Sequence, residues 1–218
     1  MYVHATTHFR NFTSVAVRSA QREAQVFMVP DAGRGVAAHL ITRVLGDEAS
    51  AQYSRPDRAF PLRSSGWYMS VAHTTGLTAL VISAMPIGID VELRLPVGGI
   101  EDMAWALTAD ERSELASGGD GRLTEIWTTK EAAGKALGTG LAARPNCFQT
   151  CSRGLSDGER AALVVLPERE EALLLTSGWW LGNHHVRIAW GDWIAPGLVE
   201  ALIPREDEEH GSTEEVPR

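Results

Sequence analysis

Cysteine is nearly absent from this chain. The two present, Cys147 and Cys151, lie four positions apart, which supplies neither a disulfide framework nor a zinc site; they read as reduced thiols near a strand. No apolar run approaches the roughly 20 residues of a membrane span, so no membrane partner is expected. The opening stretch Met1-Tyr2-Val3-His4-Ala5-Thr6-Thr7-His8 lacks the charged and apolar regions of a signal peptide, and the cytoplasm is the expected compartment. Basic residues are in deficit: 20 Lys and Arg against 28 Asp and Glu give a net charge of −8, which argues against nonspecific nucleic-acid binding. Residues 204–218 hold six acids against two arginines, half of that net charge. The segment reads as a disordered, solvated tail. The rest of the chain is only mildly acidic and leaves room for a local basic pocket.

What is present is an ordinary globular composition, 44% hydrophobic and 22% charged over 218 residues, enough to bury a core as one large domain or two small ones. Apolar alternation predicts strands over 15–17 and 26–29. Helical spacing runs over 35–45 and stops at Gly46. Residues 46–66, rich in Ser, Pro, Asp, Arg and Gly, read as a loop. Strands follow over 67–72 and 78–84 around a Thr74-Thr75-Gly76 turn, and 87–92 reads as a third strand of this group. Pro96-Val97-Gly98-Gly99 breaks the chain, and 100–107 looks helical. Thr108 and Glu111 form a capping box for a helix that ends near 117–119. The next helix, 123–137, is closed by Gly138 and Gly140. Strands are then expected over 148–151, 162–166, 173–180 and 185–190. Helix plus strands thus occurs twice, which predicts an α+β fold with halves at 1–95 and 96–203 and a tail at 204–218. Adjacent strand histidines point to opposite faces, so His184 and His185 read as structural.

Two short segments carry acid groups at a telling spacing. In Ile87-Gly88-Ile89-Asp90-Val91-Glu92, a strand would point Asp90 and Glu92 the same way. In Trp127-Thr128-Thr129-Lys130-Glu131-Ala132-Ala133-Gly134-Lys135, a helix would place Glu131 and Lys135 on one face, a turn apart. Magnesium takes oxygen ligands and keeps several waters, so three carboxylates and the oxygens of a diphosphate suit it. Lys135 would meet a phosphate as a point charge, and Glu131 could serve as general base toward an incoming hydroxyl. An ordinary solvated strand end and an exposed helix pair give the same spacings, and Trp127 reads as a core anchor. The residues alone therefore stop at a candidate metal and phosphate site in an enzyme that moves a phosphate-linked group.

At these positions the chain resembles the 4′-phosphopantetheinyl transferases of the Sfp type. That family's pattern is G-[IV]-D, about forty intervening residues, then [FW]-[SCT]-x-K-E-[AS]-x-x-K. Gly88-Ile89-Asp90 supplies the first part; Trp127, Thr128, Lys130, Glu131, Ala132 and Lys135 supply the second, forty positions separating Asp90 from Lys130. Gly138-Thr139-Gly140-Leu141 is similar to the family's G-x-G-L ending. The resemblance implies a pseudo-dimer of two similar α/β halves, and the duplicated layout suggests a monomer. It implies transfer of the phosphopantetheine arm of coenzyme A to a serine of an acyl or peptidyl carrier protein, releasing 3′,5′-ADP. Asp90, Glu92 and Glu131 would then be magnesium ligands, Glu131 also the base for the serine, Lys135 the aid to the leaving group, and Lys130 a phosphate contact. The family's segment for the coenzyme A 3′-phosphate reads Ser70-Val71-Ala72-His73-Thr74 here: His73 and Thr74 fit, whereas Ala72 replaces a serine hydroxyl. The family's G-[KR]-P segment has no clean copy. Arg58 lies at the right distance, Arg55 before Pro56 rivals it, and Arg34 is a further phosphate candidate.

The leading expectation is thus a transferase acting on polyketide, nonribosomal-peptide or fatty-acid carriers. A non-catalytic module that binds coenzyme A or a carrier protein, and a magnesium-dependent diphosphate hydrolase, are the competing readings. Gly134, inside a helix, suggests close approach of substrate or of a neighbouring strand.

Overall fold

Alternation along a strand decides which side chains each face buries, and here it sorts the chain into layers. The computed structural model describes residues 2–9, 12–19, 22–31, 33–54, 62–64, 66–96, 100–117, 121–138, 140, 145–151, 159–164 and 172–191. In chain order these form β1 (Tyr2–Phe9), β2 (Phe12–Ser19), β3 (Arg22–Val29), α1 (Arg34–Leu45), α2 (Asp47–Tyr53), β4 (Leu62–Ser64), β5 (Trp67–Thr74), β6 (Leu77–Ser83), β7 (Ile87–Leu93), α3 (Ala109–Ser117), α4 (Arg122–Leu137), β8 (Phe148–Cys151), β9 (Glu159–Val164), β10 (Ala172–Leu181) and β11 (His184–Trp190). The first sheet has the order β1-β2-β3-β6-β5-β4 and the second β7-β11-β10-β9-β8. All pairings are antiparallel.

The two sheets stack face to face. Val26, Met28, Ala72, Ala79 and Val81 of the first meet Ile87, Ile89, Val91, Val186, Ile188 and Trp190 of the second. The outer face of the first sheet takes Leu40, Ile41, Ala49 and Tyr53 of α1 and α2 against Met69 and Leu80. The outer face of the second takes Ala132, Ala133 and Ala136 of α4 against Phe148, Leu174 and Ala189. After the β1–β2 pair that opens the first sheet, β3 and β7 each start a similar path: a strand, two helices, then a meander of three strands in one sheet and four in the other whose last strand returns beside the first, β6 beside β3 and β11 beside β7.

Strand β7 positions the site. Its odd-numbered residues lie in the core between the sheets, so its even-numbered residues face α4. A Cβ on Gly88 would strike the Ala132 carbonyl and lie 2.5 Å from the Ala136 nitrogen. Glycine is what lets the helix backbone rest on this strand.

Several elements depart from the sequence expectation. Segment 87–92, expected to continue the first group of strands, pairs instead with β11 across the register Asp90–Arg187 and Glu92–His185; alternation reveals a strand but not its partner. Part of the expected loop 46–66 is α2, whose Ala49 and Tyr53, four apart, supply one buried face, and whose Asp47 and Glu48 suit a helix start. β4 is a further strand in that stretch. The expected helix at 100–107 is reduced to a 3₁₀ turn, Ala104–Ala106. The strand expected at 162–166 begins earlier, at Glu159. The capping box is present: Glu111 N–H donates to Thr108 Oγ1 (3.2 Å) and Thr108 N–H to Glu111 Oε2 (2.9 Å). Gly138 ends α4 with φ 77°. Arg55, Arg58, the Arg34 side chain and the tail at 204–218 lie outside the described residues. No helix among the described residues is long and apolar enough to cross a membrane.

Candidate active site

Asp90 is buried on β7 under α4, at 4% exposure. Lys135 reaches it from the helix, donating from Nζ to Oδ1 over 2.8 Å. The second oxygen, Oδ2, is buried with no hydrogen-bond partner. Leaving a buried carboxylate oxygen unpaired is costly, which marks it as a place where a ligand belongs. Two residues on, Glu92 Oε2 accepts a 3.1 Å hydrogen bond from Thr74 Oγ1 at the end of β5.

The electrostatics show that these groups share one neighbourhood. Burial, then the Asp90 charge, then that of Glu92 push the Glu131 carboxyl up to about 7, against the pull of Lys135. Burial and Asp90 likewise raise Glu92, with Thr74 and Lys135 acting the other way. Burial would lower the Lys135 ammonium, but Asp90, Glu131 and Glu92 outweigh it and hold it above its ordinary value. Three carboxylates around one ammonium are an excess of negative charge in a low-dielectric place, the condition a cation relieves.

The donor set fits a hard divalent ion: carboxylate oxygens, one of them orphaned. Among the described residues no group of three or more His, Cys, Asp or Glu side chains is placed so that it could hold a metal ion. An ion bound here would draw further oxygens from water or a substrate, as magnesium commonly does.

The structure thus brings together Asp90, Glu92, Glu131, Lys135 and Thr74. His73 is exposed beside Thr74 on β5. Ala72 faces the core between the sheets, so the hydroxyl missing at that position is missing from the interior. Trp127, expected as a core anchor, is half-buried and meets Trp105 edge-on at 6.2 Å; Trp105 itself is 60% exposed. The histidine pair is structural and splits as expected. His184 Nε2 bonds the Thr75 carbonyl at 2.9 Å, and His185 is buried with Nδ1 2.7 Å from Thr128 Oγ1. Gly134 admits the Gly140 carbonyl, which would lie 2.7 Å from a Cβ there.

Lys130 is a correction. The expected phosphate contact is fully buried and faces away from this crevice, its Nζ 2.6 Å from Glu111 Oε2. It also donates to the carbonyls of Ala106 (2.6 Å) and Pro145 (3.1 Å), which occupies all three ammonium protons. Glu111 Oε1 in turn accepts Thr150 N–H at 2.9 Å. The local sequence shows the capping role of Glu111 but not this pairing, because nothing local joins positions 111 and 130. Removing one member strands a buried charge, so Lys130→Ala is expected to lower unfolding stability by roughly 3–5 kcal/mol, read by denaturant titration; a loss below about 1 kcal/mol, the scale of a surface pair, would contradict the assignment.

The site straddles β7 and α4, and the comparison with known families falls on that segment. Residues 86–188 match the 4′-phosphopantetheinyl transferase superfamily. The match runs from the start of β7 through α3 and α4 into β11, and it contains Asp90, Glu92, Lys130, Glu131 and Lys135. His73 and Thr74, on the first sheet, lie outside it. A mixed α+β arrangement of two antiparallel sheets with four helices among the described residues is compatible with that superfamily's fold. The superfamily match supports a transferase. A comparison with curated proteins finds no match.

Proposed function

We propose that this protein transfers the 4′-phosphopantetheine arm of coenzyme A to a serine of an apo acyl or peptidyl carrier protein, with magnesium, releasing 3′,5′-ADP. The observation that carries the reading is the meeting of Asp90 with Lys135 across β7 and α4, crowded by Glu92 and Glu131, inside the segment that matches the superfamily. Asp90, Glu92 and Glu131 would hold the magnesium ion, which when bound neutralises diphosphate charge.

Glu131 takes the proton of the carrier serine, the task of a positioned carboxylate base. The serine oxygen forms a bond to the phosphorus bearing the pantetheine. The bond from that phosphorus to the bridging oxygen breaks, and the electron pair leaves with 3′,5′-ADP. Lys135, held on Asp90, would meet with its ammonium the charge gathering on the departing phosphate. His73, exposed beside the turn, suits the 3′-phosphate, with Arg58 and Arg34 as further candidates.

The motif resemblance supports an Sfp-type enzyme serving polyketide or nonribosomal-peptide carriers; the duplicated layout supports a monomer, and the cytoplasm is the default compartment. The shared path of the two sheets supports two related halves. The test is mass spectrometry of several apo carriers after incubation with coenzyme A and magnesium. Gain of one phosphopantetheine per carrier is expected. Coenzyme A binding with no gain on any carrier would favour a non-catalytic binding module, and its cleavage without carrier modification a hydrolase.

A further inference from the structure

The turn joining β5 to β6 is fastened to the second sheet by two neighbouring residues. Thr74 Oγ1 donates to Glu92 Oε2. At the next position the Thr75 carbonyl, which can only accept, takes the Nε2–H of His184 at 2.9 Å. Thr74 and Glu92 lie on different sheets, eighteen positions apart. Their bond is therefore a tertiary choice, not a by-product of strand pairing.

A threonine hydroxyl has a single proton to give. In this structure that proton goes to Glu92, so it is not available at the same time to a nucleotide phosphate, the role that motif resemblance gives to Thr74. Hydrogen bonds from outer residues fix the orientation of carboxylates that hold metals. A carboxylate tied at one oxygen also has less rotamer freedom left to lose on binding an ion.

We infer that Thr74 is a positioning residue for the cation site: its hydroxyl, reaching across from the first sheet, aims the Glu92 carboxylate. The inference rests on the proposed cation site. It deepens that reading by giving the first sheet, outside the superfamily match, a share in binding the ion.

The test is titration with Mn²⁺, followed by electron paramagnetic resonance, of the full chain, Thr74→Val, Thr74→Ser and Asp90→Asn, beside metal-free coenzyme A titration by calorimetry. Valine keeps the shape of threonine without its hydroxyl. Thr74→Val is expected to weaken Mn²⁺ binding by roughly tenfold or more, with metal-free coenzyme A affinity unchanged, and Thr74→Ser to restore the ion. Unchanged Mn²⁺ affinity in Thr74→Val, with weakened metal-free coenzyme A binding, would overturn the inference and return the hydroxyl to phosphate. Should Asp90→Asn also leave Mn²⁺ affinity untouched, the cation site itself fails, and the inference with it.

Discussion

Glu131→Gln is expected to reduce carrier modification by roughly 10²–10⁴-fold, the usual worth of a positioned base, with the protein still folded. Glutamine keeps the shape and removes both the charge and the basic site. The substitution should also erase a pH signature. Burial and the neighbouring carboxylates raise Glu131 from 4.5 to about 7, so the folded chain holds this proton more tightly than the unfolded chain does. Its contribution to stability is then fully present below pH 4.5 and is lost as pH rises through about 7. Without metal, denaturant melts of the unaltered protein should show stability falling across that window, and Glu131→Gln should flatten the fall. For turnover the sign is opposite: the ionised form is the base, so kcat/KM should rise with pH, and because the magnesium ion held by Glu131 favours the ionised carboxylate the limb should lie below the metal-free range; the variant should lose it. A variant that keeps near-normal rate and an unchanged pH profile would remove Glu131 from the chemistry.

Gly88→Ala is expected to be nearly as damaging, although residue 88 touches no substrate. Its Cβ would occupy the space of the Ala132 carbonyl and press on the Ala136 nitrogen. These are backbone atoms of α4, so no side-chain rotation gives relief. The helix must move off β7, carrying Glu131 and Lys135 away from Asp90. Overpacking of this kind costs about 1–3 kcal/mol of stability, and a displacement near 1 Å at a reacting group can cost roughly 10²-fold in rate. The expected result is a folded protein, by circular dichroism, with turnover down about a hundredfold. Full activity would mean that the close seating of helix on strand is not what places the acids.

How far the sequence could be read follows from what each signal encodes. Alternation in 67–84 and helical spacing in 123–137 report local faces, and both segments fold as expected. Gly88, Asp90 and Glu92 could be placed on one side of a strand, but the identity of that strand's neighbours is set by apolar contacts far along the chain. The pairing of β7 with β11 was thus hidden. Lys130 and Glu131 are adjacent in one motif, yet the helix turns them to different surroundings, a buried pair with Glu111 and the acid crevice. Spacing shows that 127, 131 and 135 share a face; it does not show that 130 points into the interior. The bond from Thr74 to Glu92 leaves no local trace, because neither residue's neighbours hint at the other.

The central claim is that acids from β7 and α4 hold one divalent ion beside the diphosphate of coenzyme A. Anomalous diffraction from crystals grown with Mn²⁺ and coenzyme A tests it directly. The account predicts a single strong peak within coordination distance of Asp90, Glu92 and Glu131 and of diphosphate oxygens. A manganese peak elsewhere, with Lys135 and the three carboxylates unchanged around bound coenzyme A, would contradict it.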